Sequence, residues 1–256
     1  MTLWPIYVPS KGRAETSKLL RRLNDEGIDA TFVVEPQEAT AYCLAYPGLD
    51  YFVLPERDQG LTYSRNHILE LARLREEEWF WMIDDDISAF FEFEGTKGSK
   101  VGARQALEVA QEAAQPGVGQ IALEYQQFAW SAGGKVKTNS YCDVCVGIKS
   151  KVTANYRKVE LKEDRDFTLQ VIAGGFDTRR VSKYAFAAPS VGSNKGGLHE
   201  GYAEGRDAKG AAQLAAMWPW CCEVQTKRNG RIDAKIHWKK VRQKHALTPG
   251  GQPDIL

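Results

Sequence analysis

Charge of one sign is what this sequence lacks most. Lys and Arg number 34 against 33 for Asp and Glu, a formal net charge of +1, so no global field pulls the chain to nucleic acid or to a membrane. No apolar run approaches the roughly 20 residues of a membrane span, and no membrane partner is expected. Five cysteines make an odd count at spacings that suggest no disulfide framework, which points to a reducing, cytoplasmic setting. The opening stretch MTLWPIYVPSKGR has no basic segment leading into a long apolar one, so a secretory leader is not expected. There is no internal repeat. The pattern GxxxxGK followed by Ser or Thr is also missing, which sets aside a P-loop.

What is present suits one sizeable domain: 256 residues, 43% of them hydrophobic. LWPIYVP reads as a short buried strand before the polar turn SKGR. Residues 15–27 carry helical periodicity through Leu19, Leu20 and Leu23, with Gly27 as a stop. ATFVVEP and YFVLP read as the next strands, residues 63–75 as a helix, and WFWMI as a fourth strand. Strands alternating with helices predict βαβ units and a mainly parallel sheet, with functional groups at the carboxyl ends of the strands. The second half is less regular. It predicts an Ala-rich helix over 103–114, long strands in QIALEYQQFAW and YCDVCVGIK, a helix over 162–173 and a strand in RRVSKYAFAAP. A helix over 207–217 and a hairpin turning at Asn229-Gly230 follow. SVGSNKGGLHEGYAEG is glycine-rich and aperiodic, the character of a functional loop.

Three consecutive carboxylates, Asp84, Asp85 and Asp86, end the WFWMI run. Residues i and i+2 share a face of a strand, so Asp84 and Asp86 would point one way and Asp85 the other. Two such carboxylates can hold Mg2+ or Mn2+; a solvated loop with one helix-capping aspartate is the plainer alternative. Ser10, Lys11 and Arg13, with Gly12 allowing close approach, could meet a nucleotide or phosphate, or form an ordinary polar turn. Arg65 and Asn66 enter a helix after Gly60. Arg65 has the planar fork that pairs with a diphosphate, or is simply a helix-surface arginine. Glu163, Asp164 and Asp166 open another helix, where the dipole alone favours acids, yet a carboxylate there could accept a proton from an attacking hydroxyl. Lys195 and His199 lie in the glycine-rich loop, and His199 makes sense as a late metal ligand only if the aspartates bind metal.

Cys142 and Cys145 form a CxxC pair, but on a strand their side chains face opposite sides, which argues against a zinc knuckle. Toward the C-terminus, Lys227, Arg228, Arg231, Lys235, Lys239, Lys240, Arg242 and Lys244 meet only Asp233 in the local sequence. Such a zone can track phosphates, or be a solvated hairpin and tail.

The order of these pieces resembles a glycosyltransferase of the GT-A fold. The closer likeness is to the phage TET-associated glycosyltransferases, relatives of the base J glucosyltransferase. IYVPSKGR, VVEPQE, LPERDQGLTYSRN, WFWMIDDDI and GSNKGGL carry it, over most of the chain to about Gly201. The resemblance implies an α/β, GT-A-like Rossmann-type sandwich with a mainly parallel central sheet and a C-terminal hairpin extension. It implies one domain over 1–256, with a nucleotide-sugar half at about 1–100, an acceptor half at about 101–225 and a basic hairpin and tail at about 221–256. The activity implied is metal-dependent hexosyl transfer from a UDP-sugar, with Mn2+ or Mg2+. Asp84 and Asp86 match the outer positions of the D-x-D motif. Asp86 would be the direct metal ligand, Asp84 would reach metal or ribose, and Asp85 would turn toward sugar or structure. His199 would complete the metal shell. Pro9, Ser10, Lys11, Arg13 and Glu35 would surround the uridine, with Arg65 and Asn66 nearby, and Lys195 or Arg13 would meet the leaving diphosphate. Asp164 matches the acid of the E-D motif, the base of inverting members, with Asp166 second in line. The implied acceptor is the hydroxyl of hydroxymethylcytosine in phage DNA, installed by a TET-like oxygenase, within the host-cell cytoplasm. Lys227, Arg228, Arg231, Lys235, Lys239 and Lys240 would lie on that DNA. Other readings are a protein or small-molecule acceptor, or a nucleic-acid-binding module whose acids are structural. A metal nuclease lacks a further acidic cluster tied to the same strand ends.

Overall fold

The computed structural model describes residues 2–189 and 205–246. Strands β1 (Ile6–Pro9), β2 (Thr31–Val34), β3 (Asp50–Val53) and β4 (Trp79–Ile83) alternate with helices α1 (Lys18–Asp25), α2 (Ala39–Ala45) and α3 (Leu61–Leu74). Next come the hairpin β5 (Ala89–Glu94) and β6 (Lys97–Val101), α4 (Ala103–Ala110), β7 (Val118–Tyr125), α5 (Gln126–Ala132) and β8 (Val136–Thr138). β9 (Cys145–Lys149), α6 (Glu163–Ala173) and β10 (Asp177–Ala187) follow. The last described elements are α7 (Arg206–Met217), the hairpin β11 (Cys222–Thr226) and β12 (Ile232–Ile236), and α8 (Trp238–Ala246).

Ten strands form one sheet in the order β3-β2-β1-β4-β9-β7-β10-β5-β6, with β8 paired to β10. β1 runs parallel to β2 and β4, β2 to β3, and β7 to β10. β9 runs antiparallel to both of its neighbours, as β5 does to β10 and β6. Most strands therefore point the same way as β4. Every residue of WFWMI is buried, because β4 lies at the centre with helices on both faces. Trp79, Trp81 and Ile83 pack with Leu19, Leu20 and Leu23 of α1 and with Ala106 and Leu107 of α4. Phe80 and Met82 pack on the opposite face with Ile68 and Leu69 of α3 and Phe167 of α6. This alternation is the strand's period of two. A smaller core joins Leu169 and Ile172 of α6 to Leu214 of α7, Ala234 of β12 and Val241 of α8. It docks the C-terminal hairpin onto the outer face of α6.

Several expectations change. QQFAW is not strand: the chain turns after Tyr125, and α5 begins at Gln126. YCDV is not strand either, for Val144 adopts a left-handed backbone with φ 62, so β9 starts only at Cys145. The Ala-rich helix tightens into a short 3-10 turn at Gln111–Ala113. The tail after the hairpin is helical, and α2 and the hairpin β5–β6 were not anticipated.

Gly210 of α7 shows how closely the C-terminal unit is seated. A Cβ there would overlap the carbonyl oxygen of Glu160 and lie 2.7 Å from its carbon. Helix propensity alone makes Gly→Ala favourable by about 1 kcal/mol, whereas overpacking costs about 1–3 kcal/mol or more. Gly210→Ala is therefore expected to lose about 2 kcal/mol in urea melts. A gain in stability would contradict this packing.

Candidate active site

Ser10, Glu35, Pro55 and the three aspartates all follow parallel strands at their carboxyl ends. The aspartates form the corner after β4. Asp84 and Asp85 keep the alternation of the strand although pairing has ended. Asp85 points to the α1 face and is 3% exposed. It accepts hydrogen bonds from Ser10 Oγ and from Arg13 Nη1, while Ser17 Oγ donates to its carbonyl at 2.7 Å. Ser17 is also the N-cap of α1, accepting from Leu20 N at 3.2 Å. The SKGR turn, α1 and the aspartate corner are thus clamped together. Burial pushes Asp85 up to about 6, against the opposing pull of Arg13 and Ser10.

Asp84 points to the α3 face. Arg65, buried on α3, donates to Asp84 Oδ1 at 2.9 Å and to Glu163 Oε1 at 2.9 Å. Its guanidinium lies 5.2 Å from the centroid of the Tyr156 ring. Burial opposes the charge of Arg65, but Asp84 and Glu163 outweigh it and raise its pKa. Burial likewise raises Glu163. Arg65, Met82, Asp84, Cys142, Asp143, Val144, Val146, Tyr156 and Asp164 line one cleft with an empty volume of about 220 Å³.

The two catalytic candidates on α6 separate clearly. Asp164 lines the cleft, and its Oδ1 accepts from the adjacent Arg165 N at 2.8 Å. Asp166 is fully buried. It accepts from both Arg157 Nε at 2.7 Å and Arg157 Nη2, from Trp218 Nε1 at 2.8 Å and from Gln170 Nε2 at 2.8 Å. Its oxygens are committed to holding the 157 segment and the residue after α7 against α6.

On the β1–β3 side, Lys11 Nζ bonds Glu35 at 2.9 Å and Asp58 at 2.6 Å. Gly12, at φ 69, donates its N–H to Glu38 Oε1 at 2.8 Å. Pro9 ends β1 beneath this turn. Asn66 spends its amide on the backbone of Tyr156, donating to the oxygen and accepting from the nitrogen, each at 2.8 Å. Asp86 lies 3.7 Å from Arg13. The side chains of Asp84 and Asp86 are 27% and 25% exposed. Carboxylate oxygens are the donors hard cations favour, but no group of three His, Cys, Asp or Glu side chains able to hold a metal occurs among the described residues. Lys195 and His199 lie outside those residues. Cys142 and Cys145 are both buried free thiols, and burial raises their pKa values, which disfavours thiolate ligation.

The basic hairpin is partly neutralised from within. Asp233 is 1% exposed and pairs with Lys227 at 2.6 Å, Arg231 at 2.9 Å and Arg165 at 3.0 Å. Burial would raise its pKa; Arg165, Lys227 and Lys162 outweigh burial and hold it well below the ordinary carboxylate range. Lys235 pairs with Glu223 at 2.8 Å. Arg228, Lys239 and Lys240 are exposed and form no ion pair with a described residue. Asp143, unmarked by any sequence motif, is the cleft residue that sequence reasoning missed.

Residues 4–197 match the model of the family described as TET-Associated Glycosyltransferase. No curated protein matches the chain in sequence. TarS 1-349 from S. aureus superposes with a TM-score of 0.51 at 12% identity, over 84% of this chain and 66% of that one. GalNAc-T7, solved with UDP, GalNAc and Mn2+, superposes with a TM-score of 0.51 at 7% identity, over 73% of this chain and 44% of that one. The chain thus spans just under two thirds of the TarS segment and under half of GalNAc-T7. At these identities the likeness is one of fold, the GT-A arrangement.

Removing the Asp166 carboxylate leaves a buried amide facing Arg157 and Trp218 donors. Asp166→Asn is expected to lose about 3 kcal/mol of stability, as a broken buried pair does. Asp164→Asn keeps its acceptor for Arg165 N and is expected to stay within about 1 kcal/mol of wild type. Urea midpoints of the two variants check this; equal losses would contradict the division of roles.

Proposed function

We propose, from the premise that this chain belongs to the TET-associated glycosyltransferase family, that it moves a sugar from a UDP-sugar to the hydroxyl of hydroxymethylcytosine in DNA. Membership of that family makes the chain a glycosyltransferase of nucleotide-sugar type. The observation that carries the transfer chemistry is the cleft that Asp84 and Asp164 line together; the family match carries the DNA acceptor. It brings a strand-end acid, Asp84, and a helix-start acid, Asp164, to one cleft. The acceptor hydroxyl hands its proton to Asp164. Its oxygen bonds the anomeric carbon as the bond to the diphosphate breaks, and that electron pair leaves with the diphosphate.

Lys11, held by Glu35 and Asp58, supports the reading of the SKGR turn as the nucleotide side. Asp84 and Asp86 would hold Mn2+ or Mg2+, as the oxygen-only chemistry of the pair supports, and GalNAc-T7 was solved with UDP and Mn2+. Such a cation would stabilise charge on the leaving diphosphate. Arg228, Lys239 and Lys240 are the cations best placed for DNA phosphates, since they are exposed. A TET-like oxygenase would act first, to install the hydroxyl. The five free cysteines support a reducing cytoplasm, and no helix among the described residues is long and apolar enough to cross a membrane. The internal pairing of Lys227, Arg231 and Lys235 favours, as a second reading, the same transfer to a protein or small-molecule hydroxyl.

Duplex DNA carrying hydroxymethylcytosine, a panel of UDP-sugars and Mn2+ test the proposal, read by nucleoside mass spectrometry. A sugar adduct is expected. Asp164→Asn should lower its rate by about 10²–10⁴-fold, the usual contribution of a general base. Charge removal at Arg228, Lys239 and Lys240 should flatten the salt dependence of DNA binding by up to about one unit of slope per cation. Transfer to other hydroxyls with no adduct on DNA would select the second reading.

A further inference from the structure

Asp143 sits between β8 and β9 on the segment that turns into the cleft. Its carboxylate Oδ2 accepts from the Tyr125 hydroxyl at 3.2 Å. The other oxygen, Oδ1, is shielded from solvent and has no hydrogen-bond partner, although Asp143 lines the same cleft as Asp164. A buried polar atom left without a partner is rare in a folded protein and costs about 1–3 kcal/mol.

The backbone is arranged to keep it there. Val144 holds φ 62, a conformation that a β-branched residue rarely adopts and that costs on the order of 1–3 kcal/mol. The same residue's carbonyl accepts from Asp84 N at 2.8 Å, so the strained turn is tied to the aspartate corner. Tyr125 is seated by Phe186, with ring centroids 4.5 Å apart. Its hydroxyl therefore reaches Asp143 from a fixed ring. An orphan oxygen, a strained wall residue and a rigid orienting phenol converge on one point beside Asp164.

We infer that Asp143 is a catalytic residue on the acceptor side, using Oδ1 to hold the hydroxyl that Asp164 deprotonates. The inference rests on Asp164 as the proton acceptor. Charged and titratable groups face Asp143 from every packed element: Asp164 and Arg165 from α6, Arg180 from β10 and Tyr125 from β7. Burial and then Asp164 raise the Asp143 carboxyl, outweighing Arg180, Arg165 and Tyr125. It therefore keeps its own proton more readily than an ordinary aspartate and can donate through Oδ1 to the acceptor oxygen. The acceptor's proton goes to Asp164, the new bond forms from the remaining lone pair to the anomeric carbon as the bond from that carbon to the diphosphate breaks and its electron pair leaves with UDP, and the Asp143 proton stays where it began. Asparagine can supply the same donor; alanine cannot.

The experiment compares Asp143→Asn and Asp143→Ala with wild type, using UDP-glucose and UDP-N-acetylglucosamine with Mn2+. Thermal shift with each UDP-sugar shows that the variants fold and bind donor. Catalysis is read both as transfer to hydroxymethylcytosine DNA and as slow hydrolysis of the UDP-sugar, in which water takes the acceptor position. Both variants should keep the donor-dependent thermal shift. Asp143→Ala should lose at least about tenfold in kcat, the size of one lost hydrogen bond at a reacting group, and Asp143→Asn should stay within about threefold of wild type. An alanine variant as active as wild type would overturn the inference. So would an asparagine variant as slow as alanine, because the carboxylate charge would then be what matters. Hydrolysis needs no DNA, so a wrong DNA assignment fails the transfer assay alone and leaves this comparison decisive.

Discussion

One buried carboxylate, Asp85, organises the carboxyl edge of the central sheet. Three adjacent acids repel: two unit charges about 4 Å apart at an effective dielectric of about 20 cost roughly 4 kcal/mol. The chain separates them by direction. Asp85 turns inward to Arg13 and Ser10, Asp84 turns to Arg65 on the opposite face, and Asp86 lies on the outer side, 3.7 Å from Arg13. Breaking a buried pair by removing one partner costs about 3–5 kcal/mol, so the Asp85 contact is a strong positional constraint. It fixes the SKGR turn, the start of α1 and the end of β4 relative to one another.

From that corner the rest of the site follows. Arg65 carries the constraint across to Glu163, the first residue of α6, and so sets the position of Asp164 one residue later. The turn at Val144 closes the third side through its bond to Asp84 N. Acids from three separate segments, Asp84, Asp143 and Asp164, thereby line one small cleft, while Asp166, one residue past Arg165, is held by Arg157 and Trp218. Groups lining the cleft come from distant parts of the chain, and buried Arg65 joins two of them.

Much of this was legible in the sequence. The run WFWMI announced a central strand, and its period of two already set Asp84 against Asp85. The order of strand ends put Ser10, Glu35 and the aspartates at the carboxyl edge of the sheet, where the structure has them. Other features depend on tertiary contacts that local pattern does not encode. QQFAW has the apolar content of a strand, yet it folds as α5, with Ala129 and Ala132 buried. YCDV looked like strand because its alternation is strand-like, and the left-handed turn at Val144 has no glycine or asparagine to signal it. That misreading hid Asp143. The basic tail counted only Asp233 as a local acid, whereas Glu223 and Asp207 reach the same cations through space. Asp164 and Asp166 are equivalent by helix position near an N-terminus, and only their partners distinguish them.

The central claim is that Asp85 is structural, while the proposed cation falls to Asp84 and Asp86, whose side chains are 27% and 25% exposed. Mn2+ binding in the presence of UDP, followed by electron paramagnetic resonance on Asp85→Asn and Asp86→Asn, tests it most directly. The account predicts that Asp86→Asn loses Mn2+ binding with little change in melting temperature. It predicts that Asp85→Asn retains Mn2+ binding at a lowered melting temperature. The reverse pattern, with binding lost at Asp85 and kept at Asp86, would contradict it.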